Sequence, residues 1–324
     1  MLHNSVRSLA AGLATVTFAT AGAAAAQAWP TKSVRIVVPF GPGGGTDIQG
    51  RLLGKKFTES MGQTFVVDNR AGAAGLIGAE IVAKAPPDGH NVLFTTASLA
   101  VNVSLYKKIP LDPLKDLAPV SWISSVPLVL IVHPSVPVKT VKELVALAKK
   151  RAGKMNVASN GSGTTSHLSI EMLKQMAGVD VAHIPYKGGG PAMTAMLTGE
   201  VDFTFATALA AQPHIKTGKM RALAVTTAKR SSTFPNLPTM DSIYPGFESD
   251  NWYAMFLPAG TPREVVMKLN SEIIKALNSP DVREFITREG GDPVGSSPEE
   301  LTKYFRREID KYAKVIKAGN ITAE

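Results

Sequence analysis

Three glycine-containing segments hold the residue types that could do chemistry: Gly41-Pro42-Gly43-Gly44-Gly45-Thr46-Asp47, Ser159 to Ser166, and Gly188-Gly189-Gly190-Pro191. Each lies between an apolar run of strand length and a stretch with helical spacing. At such a junction the first N–H groups of the helix lack partners within it, and the macrodipole adds partial positive charge. Glycine permits close approach to the backbone and tolerates positive φ. The chemistry on offer is capture of an anion by main-chain donors, with no cationic side chain required. The hydroxyls of Ser162, Thr164, Thr165 and Ser166 would add donors. A single loop of this kind is an ordinary strand-to-helix turn. Three of them, in two blocks of the chain, favour one shared anionic ligand between two lobes.

Catalytic patterns fare worse. Gly41 to Asp47 has neither the Gly-x-x-x-x-Gly-Lys-Ser/Thr spacing of a nucleotide loop nor a full Gly-x-Gly-x-x-Gly. Asn160 stands two residues before Ser162, where a Gly-x-Ser-x-Gly elbow needs glycine. The six histidines show no i, i+4 pair, so no zinc helix is visible. His167 reads as a structural histidine rather than a base, Asp47 as a helix cap, and Asp202 as the end of a turn. No catalytic residue, metal ligand or cofactor is expected, and a hydrolase built on Ser162 and His167 is the enzymatic rival.

The elements that must position these loops follow from apolar periodicity. Val34 to Pro39, Phe65 to Val67, Val92 to Thr95, Leu117 to Ser121 and Leu128 to His133 read as strands. Ile48, Leu52 and Leu53 give the apolar face of the first helix, and Ala79 to Ala85 a second, stopped by Pro86-Pro87. The alternation restarts with a helix through Val141, Leu144, Val145 and Ala148, and strands at Met155 to Ala158, Val181 to Ile184, Val201 to Phe205 and Ala222 to Val225. Alternating strands and helices imply an α/β fold with parallel sheets. The tail offers two amphipathic helices, Val265 to Leu277 and Leu301 to Ile316, which must pack back on the first block. The expected organisation is a discontinuous first domain, 29–125 with 252–324, and a second domain, 126–251. Crossings would fall near Ile123 to Pro127 and Ser249 to Trp252.

The N-terminal stretch has another character. Arg7 precedes an apolar, Ala-rich run from Leu9 to Ala26 that closes on Ala26-Gln27-Ala28, the layout of a cleaved signal peptide over 1–28. The chain has no cysteine, which excludes disulfides, thiolate metal sites, a cysteine nucleophile and a lipid-anchored N-terminus. No later segment offers the run of about 18 apolar residues that a span needs. Net charge is +9, but Lys149-Lys150-Arg151 and Arg306-Arg307 are short and lack interleaved aromatics, so no nucleic-acid partner is expected. The mature protein is expected free in the periplasm.

Val37-Val38-Pro39-Phe40-Gly41-Pro42-Gly43-Gly44-Gly45-Thr46-Asp47 and Val67-Asp68-Asn69-Arg70-Ala71-Gly72 through Gly78 resemble segments of the tripartite tricarboxylate transporter receptors, also called Bug proteins. Gly161-Ser162-Gly163-Thr164-Thr165-Ser166-His167 and Pro185-Tyr186-Lys187-Gly188-Gly189-Gly190-Pro191-Ala192 are similar to two further signatures. The resemblance runs through the mature chain in order. It implies a two-lobed type II periplasmic-binding fold, with a ligand cleft between two mostly parallel sheets joined by a hinge. It places ligand contacts on Phe40, Gly43, Gly44, Gly45, Thr46, Asp47 and Ser98 in one lobe. In the other they fall on Ser162, Gly163, Thr164, Thr165, Ser166, Gly188, Gly189, Gly190 and Ala208.

The implied ligand is a small carboxylate (a di- or tricarboxylate, an aromatic acid or an amino acid), held mainly by main-chain amides and water. The implied partners are the membrane subunits of a secondary transporter, without an ATPase, and the receptor itself is expected to be a monomer. Docking on a sensor kinase or receptor is the rival use of the same body. One departure stands out: the family often has Phe-Asp after this strand, where this chain reads Phe205-Ala206-Thr207-Ala208. Phe40, Tyr186 and Trp252 are aromatic candidates for the cleft, or else core and hinge residues.

Overall fold

The computed structural model describes residues 29–227, 230, 231 and 233–322, so the leader expected over 1–28 lies outside the described residues. Strands β1 (Val34–Val38), β2 (Phe65–Asn69) and β3 (Asn91–Thr96) are parallel, with β1 in the middle. They are linked by α1 (Gly45–Met61), and by a 3-10 turn (Ala73–Gly75) running into α2 (Leu76–Ala83). Helices α3 (Ser98–Leu105) and α4 (Pro113–Asp116) lead to β4 (Leu117–Val132). The second lobe follows with α5 (Val141–Lys150), β5 (Asn156–Ser159), α6 (Thr165–Ala177) and β6 (Ala182–Pro185). It continues with α7 (Gly189–Thr198), β7 (Phe203–Thr207), α8 (Ala208–Lys216) and β8 (Arg221–Val225). The chain returns along β9 (Asp250–Pro258) to α9 (Arg263–Leu277), α10 (Pro280–Arg288), β10 (Asp292–Pro293) and α11 (Pro298–Ala318).

Strand order is β2-β1-β3-β9-β4-β7-β5-β6, with β8 and β10 also on β4. Helices cover both faces of each sheet. On the first, Val34, Ile36 and Val38 pack towards α1 and α9, while Val37 and Leu93 pack towards α2, α3 and α11. On the second, Leu128, Leu130 and Val132 pack towards α5 and α6, and Val129 and Ile131 towards α7 and α8. Burial on both faces explains why Ile36–Val38 and Leu128–Val132 are continuous apolar runs rather than alternating ones.

Several expectations change. The two strands anticipated at Leu117 to Ser121 and Leu128 to His133 are one, β4, because its polar middle is satisfied inside. Ser121 Oγ donates to Ser296 O at 2.8 Å, and Ser124 Oγ accepts from Gln49 Nε2 at 3.1 Å. Bulges between Pro119 and Ser121 and between Trp122 and Ser124 re-aim the strand there. The sheets are mixed rather than mostly parallel. The outer strands are parallel, but every partner of β4, and β3 with β9, is antiparallel. The tail also has strands of its own, β9 and β10, and a further helix, α10. Trp252 is a core residue: it is fully buried, and its Nε1 donates to Glu308 Oε2 at 3.1 Å. Ile48 is exposed, and the buried line of α1 runs through Gln49, Leu53 and Phe57.

The rungs Val126–Asn251 and Pro127–Asp250 are the last of the β4–β9 ladder, and Leu128 is the first residue of β4 paired with β7. Gly291 sits against this crossing. A Cβ there would press directly on the Ser125 carbonyl oxygen and lie 2.8 Å from Val126 Cγ2. Gly291→Ala should therefore lower stability by about 2 kcal/mol, as overpacking against backbone does. Thermal melts check this, and an unchanged midpoint would mean that the crossing strands yield freely.

Candidate functional site

The first turn of α1 is built to leave donors open. Gly44, not Thr46 or Asp47, is the cap residue, and Gly43 before it has φ +80°. The first hydrogen bond of the helix is Ile48 N–H to Gly44 O at 3.0 Å, so the amides of Gly45, Thr46 and Asp47 reach no carbonyl within it. Asp47 lies inside the turn and folds back: its carboxylate accepts from Gly43 N–H at 2.9 Å, Arg51 Nε at 3.1 Å and Asn69 Nδ2 at 3.0 Å. Burial pushes its pKa up, but the hydrogen bonds from Arg51, Gly43 and Asn69 outweigh that and hold it below the usual carboxylate range. Asp47 shapes the loop, and Arg51 neutralises it at 2.9 Å.

The α6 loop engages most of its own hydroxyls. Thr164 caps the helix, and its hydroxyl donates to Gly161 O at 2.7 Å. Ser166 Oγ accepts from Asn160 N–H at 2.9 Å. Gly161 and Gly163 have φ of +125° and +78°, conformations that favour glycine. His167 pins the turn, its Nδ1 accepting from Gly163 N–H at 3.2 Å while the ring stacks on His183 at 4.3 Å. Burial, then Lys174, lowers the His167 pKa to about 4. An imidazole so weakly basic, with Nδ1 occupied, is poorly suited to general-base work near neutral pH, which removes the support for a hydrolase on Ser162. Thr165 points elsewhere: its hydroxyl donates to Asn251 Oδ1 at 3.3 Å.

That contact shows where the two turns meet. Asn251 also hydrogen-bonds Tyr253, its i+2 neighbour on β9. The Tyr253 hydroxyl stands 2.9 Å, and Glu289 Oε2 3.4 Å, from the point where a Cβ on Gly45 would lie. The starts of α1 and α6 thus converge on one stretch of β9. Ala208, first residue of α8, is fully buried, 3.1 Å from the Cβ position of Gly290, next to Glu289. The lobes touch at Gly163, whose Cβ position lies 2.8 Å from Leu105, 2.9 Å from Asn102 Oδ1 and 3.3 Å from Ala74.

The other expected residues lie apart from this line. Gly188 caps α7, and the Cβ position of Gly189 is 3.6 Å from Asn160 Oδ1, beside a depression lined by Asn160, Gly189, Met193, Ala206, Thr207 and Ala210. Ala206 is in that lining. Ser98 is buried at the start of α3, its amide donating to Thr96 Oγ1 at 3.3 Å. Phe40 is half-buried, with its ring 3.4 Å from the Cβ position of Gly75. Tyr186 donates to Glu200 at 2.7 Å. Asp202 accepts the Asn156 amide at 2.7 Å, consistent with a turn role. Asn251, Tyr253 and Glu289 carried no signal in the sequence. Two are alternate positions of an unforeseen strand, and the third looks like any glutamate at a helix end.

A two-lobed α/β body, with helix N-termini from both lobes gathered at the strands that join them, defines a solute-binding protein. A family model described as tripartite tricarboxylate transporter family receptor matches residues 50–321. Protein BugT of Bordetella pertussis is 39% identical over 305 residues, 92% of this chain and 94% of its own. A solved R. palustris protein with adipate superposes with TM-score 0.86 at 37% identity, covering 91% of this chain and 99% of that one. MatC from Rhodopseudomonas palustris with bound malate gives 0.83 at 32%, covering 89% and 100%. The chain belongs to the tripartite tricarboxylate transporter receptor family.

His167 provides a pH test of the α6 loop. Its folded pKa of about 4 lies below the unfolded 6.5, so the unfolded chain binds the extra proton between those values. The stability of the neutral ring is complete above about pH 6.5 and is lost as pH falls towards about 4, on the order of 3 kcal/mol. His167→Asn, whose Oδ1 can accept from Gly163, should lack that loss. Denaturant melts of both proteins across this range should diverge on acidification, and parallel curves would refute the assignment.

Proposed function

We propose that the protein captures a small carboxylate in the periplasm and delivers it to the membrane subunits of a tripartite tricarboxylate-type secondary transporter. The observation that carries this reading is the convergence of the α1 and α6 first turns on Asn251 and Tyr253 of β9. Amides of Gly45, Thr46 and Asp47 in one lobe, and of Thr165 and Ser166 in the other, would grip one carboxylate from two sides as the lobes close. The lobes correspond to residues 29–125 with 252–324, and 126–251, turning about the β4–β9 crossing. Gly188 to Gly190 and the depression at Ala206 would receive the distal part of the ligand. Adipate and malate on related proteins support the carboxylate class. The leader over 1–28 would be removed on export, leaving a monomeric, unanchored receptor.

A thermal-shift panel of mono-, di- and tricarboxylates, run on protein refolded to remove carried-over ligand, tests this. A ligand present at about 100 times its Kd should stabilise by about 2.7 kcal/mol. Its methyl ester should not. Gly45→Ala, which points a methyl at Tyr253 Oη, should weaken binding at least about tenfold, worth about 1.4 kcal/mol. No shift with any member of the panel would sink the carboxylate reading.

A further inference from the structure

We propose that Glu289 determines specificity at this site: a neutral carboxyl that donates a hydrogen bond to the ligand's carboxylate, so that ligand binds together with one proton. The inference rests on the reading that a carboxylate occupies the α1 turn. Glu289 follows the last residue of α10 and is 2% exposed, yet Oε1 has no hydrogen-bond partner. Its two oxygens stand 3.4 and 3.6 Å from the Cβ position of Gly45, the residue that opens α1. A buried, under-satisfied carboxyl therefore faces the same helix N-terminus that would hold the ligand.

Among the described residues no lysine, arginine or histidine pairs with it. The charged groups on the surrounding elements are committed elsewhere. Asp47 of α1 is held by Arg51. Arg288 of α10 pairs with Glu284. Asp250 of β9 accepts from Ser125 Oγ at 3.0 Å, and burial drives it towards the neutral form as well. Tyr253 of β9 stays a neutral hydroxyl, since burial, with Glu289 adding to it, pushes its pKa well above the usual value. Ala208 of α8 brings no charge.

With no cation nearby, an ionised Glu289 and an ionised ligand would be two like charges in one dry site, an arrangement in which one of them takes a proton. Burial already raises Glu289 to about 7, so the proton is at hand near neutrality. Protonated, the carboxyl turns from a repulsive neighbour into an O–H donor, and a charge-assisted hydrogen bond results.

The test extends the thermal-shift panel with adipate, malate and benzoate, whose own carboxyl groups are ionised at about pH 6.5 and above, measured there and at about pH 8.5. The expected result is a Kd that weakens roughly tenfold per pH unit above neutrality, as one-proton linkage requires. Glu289→Gln, which donates through its amide without titrating, should show a flat profile. Should that variant fail to fold, calorimetry of the wild type in two buffers of different ionisation heat should find close to one proton taken up near pH 8.5. A flat wild-type profile, no proton uptake, or affinity that rises with pH would overturn the proposal. In the last case Glu289 accepts as an anion from a ligand ammonium or hydroxyl. If no panel member binds at either pH, the carboxylate reading itself falls; binding without pH dependence removes only this inference.

Discussion

The antiparallel pairing of β4 with β9 is the constraint on which the rest depends. Two strands run between the lobes, and each must keep its backbone groups paired while it changes sheets. The ladder reaches Pro127–Asp250, and the next residue of β4 already pairs with β7. The loops before α1 and α6 follow β1 and β5, each one strand removed from this ladder on opposite sides, so the crossing fixes which helix starts can meet. Asn251 and Tyr253 touch the α6 and α1 turns because they occupy successive same-side positions of β9. The polar side chains that make the crossing possible, Ser121 and Ser124, are buried but paired, as interior hydroxyls must be.

Among the described residues, the proposed site holds no dedicated cation. Asp47 and Arg51 cancel one another, and His167 is held neutral by burial. What remains is oriented backbone amides, hydroxyls and a carboxyl. Such donors are fixed by the fold and cost little reorganisation when an anion arrives. Recognition of this kind says little about what the carboxylate is attached to. In the proposed reading that task would pass to the far wall, where Ala206 and Met193 line the depression beside Gly189.

Much of this was legible in the sequence, and the parts that were not share a physical reason. Strands at Val34 and Phe65 and the helices through Val141 and Val265 announce themselves by period, because local pattern and burial agree. The glycines of the α1 and α6 loops stand out because the conformations they adopt restrict other residues. β9 escaped notice: Trp252 to Leu257 is a short apolar run whose strand partners lie far away in sequence. β4 looked like two strands because its serines resemble a break until Ser296 and Gln49 supply partners from distant segments. Asp47 was visible, but its part in bracing Gly43 was not, since capping depends on which residue leaves the helix first. Glu289 owes its environment wholly to tertiary packing, and no local pattern encodes that.

Gly163 has a consequence of a mechanical kind. Here the second lobe bears on Asn102, Leu105 and Ala74 of the first, and one more carbon would fit only if the Leu105 and Asn102 side chains gave way. If the lobes close as proposed, the glycine acts as a bearing clearance, and the fit of the shut jaws is set by a methyl group that is not there. A side chain at this position would wedge the jaws apart whatever lay between them. A membrane partner that judged occupancy by outline would then meet a full receptor with the silhouette of an empty one.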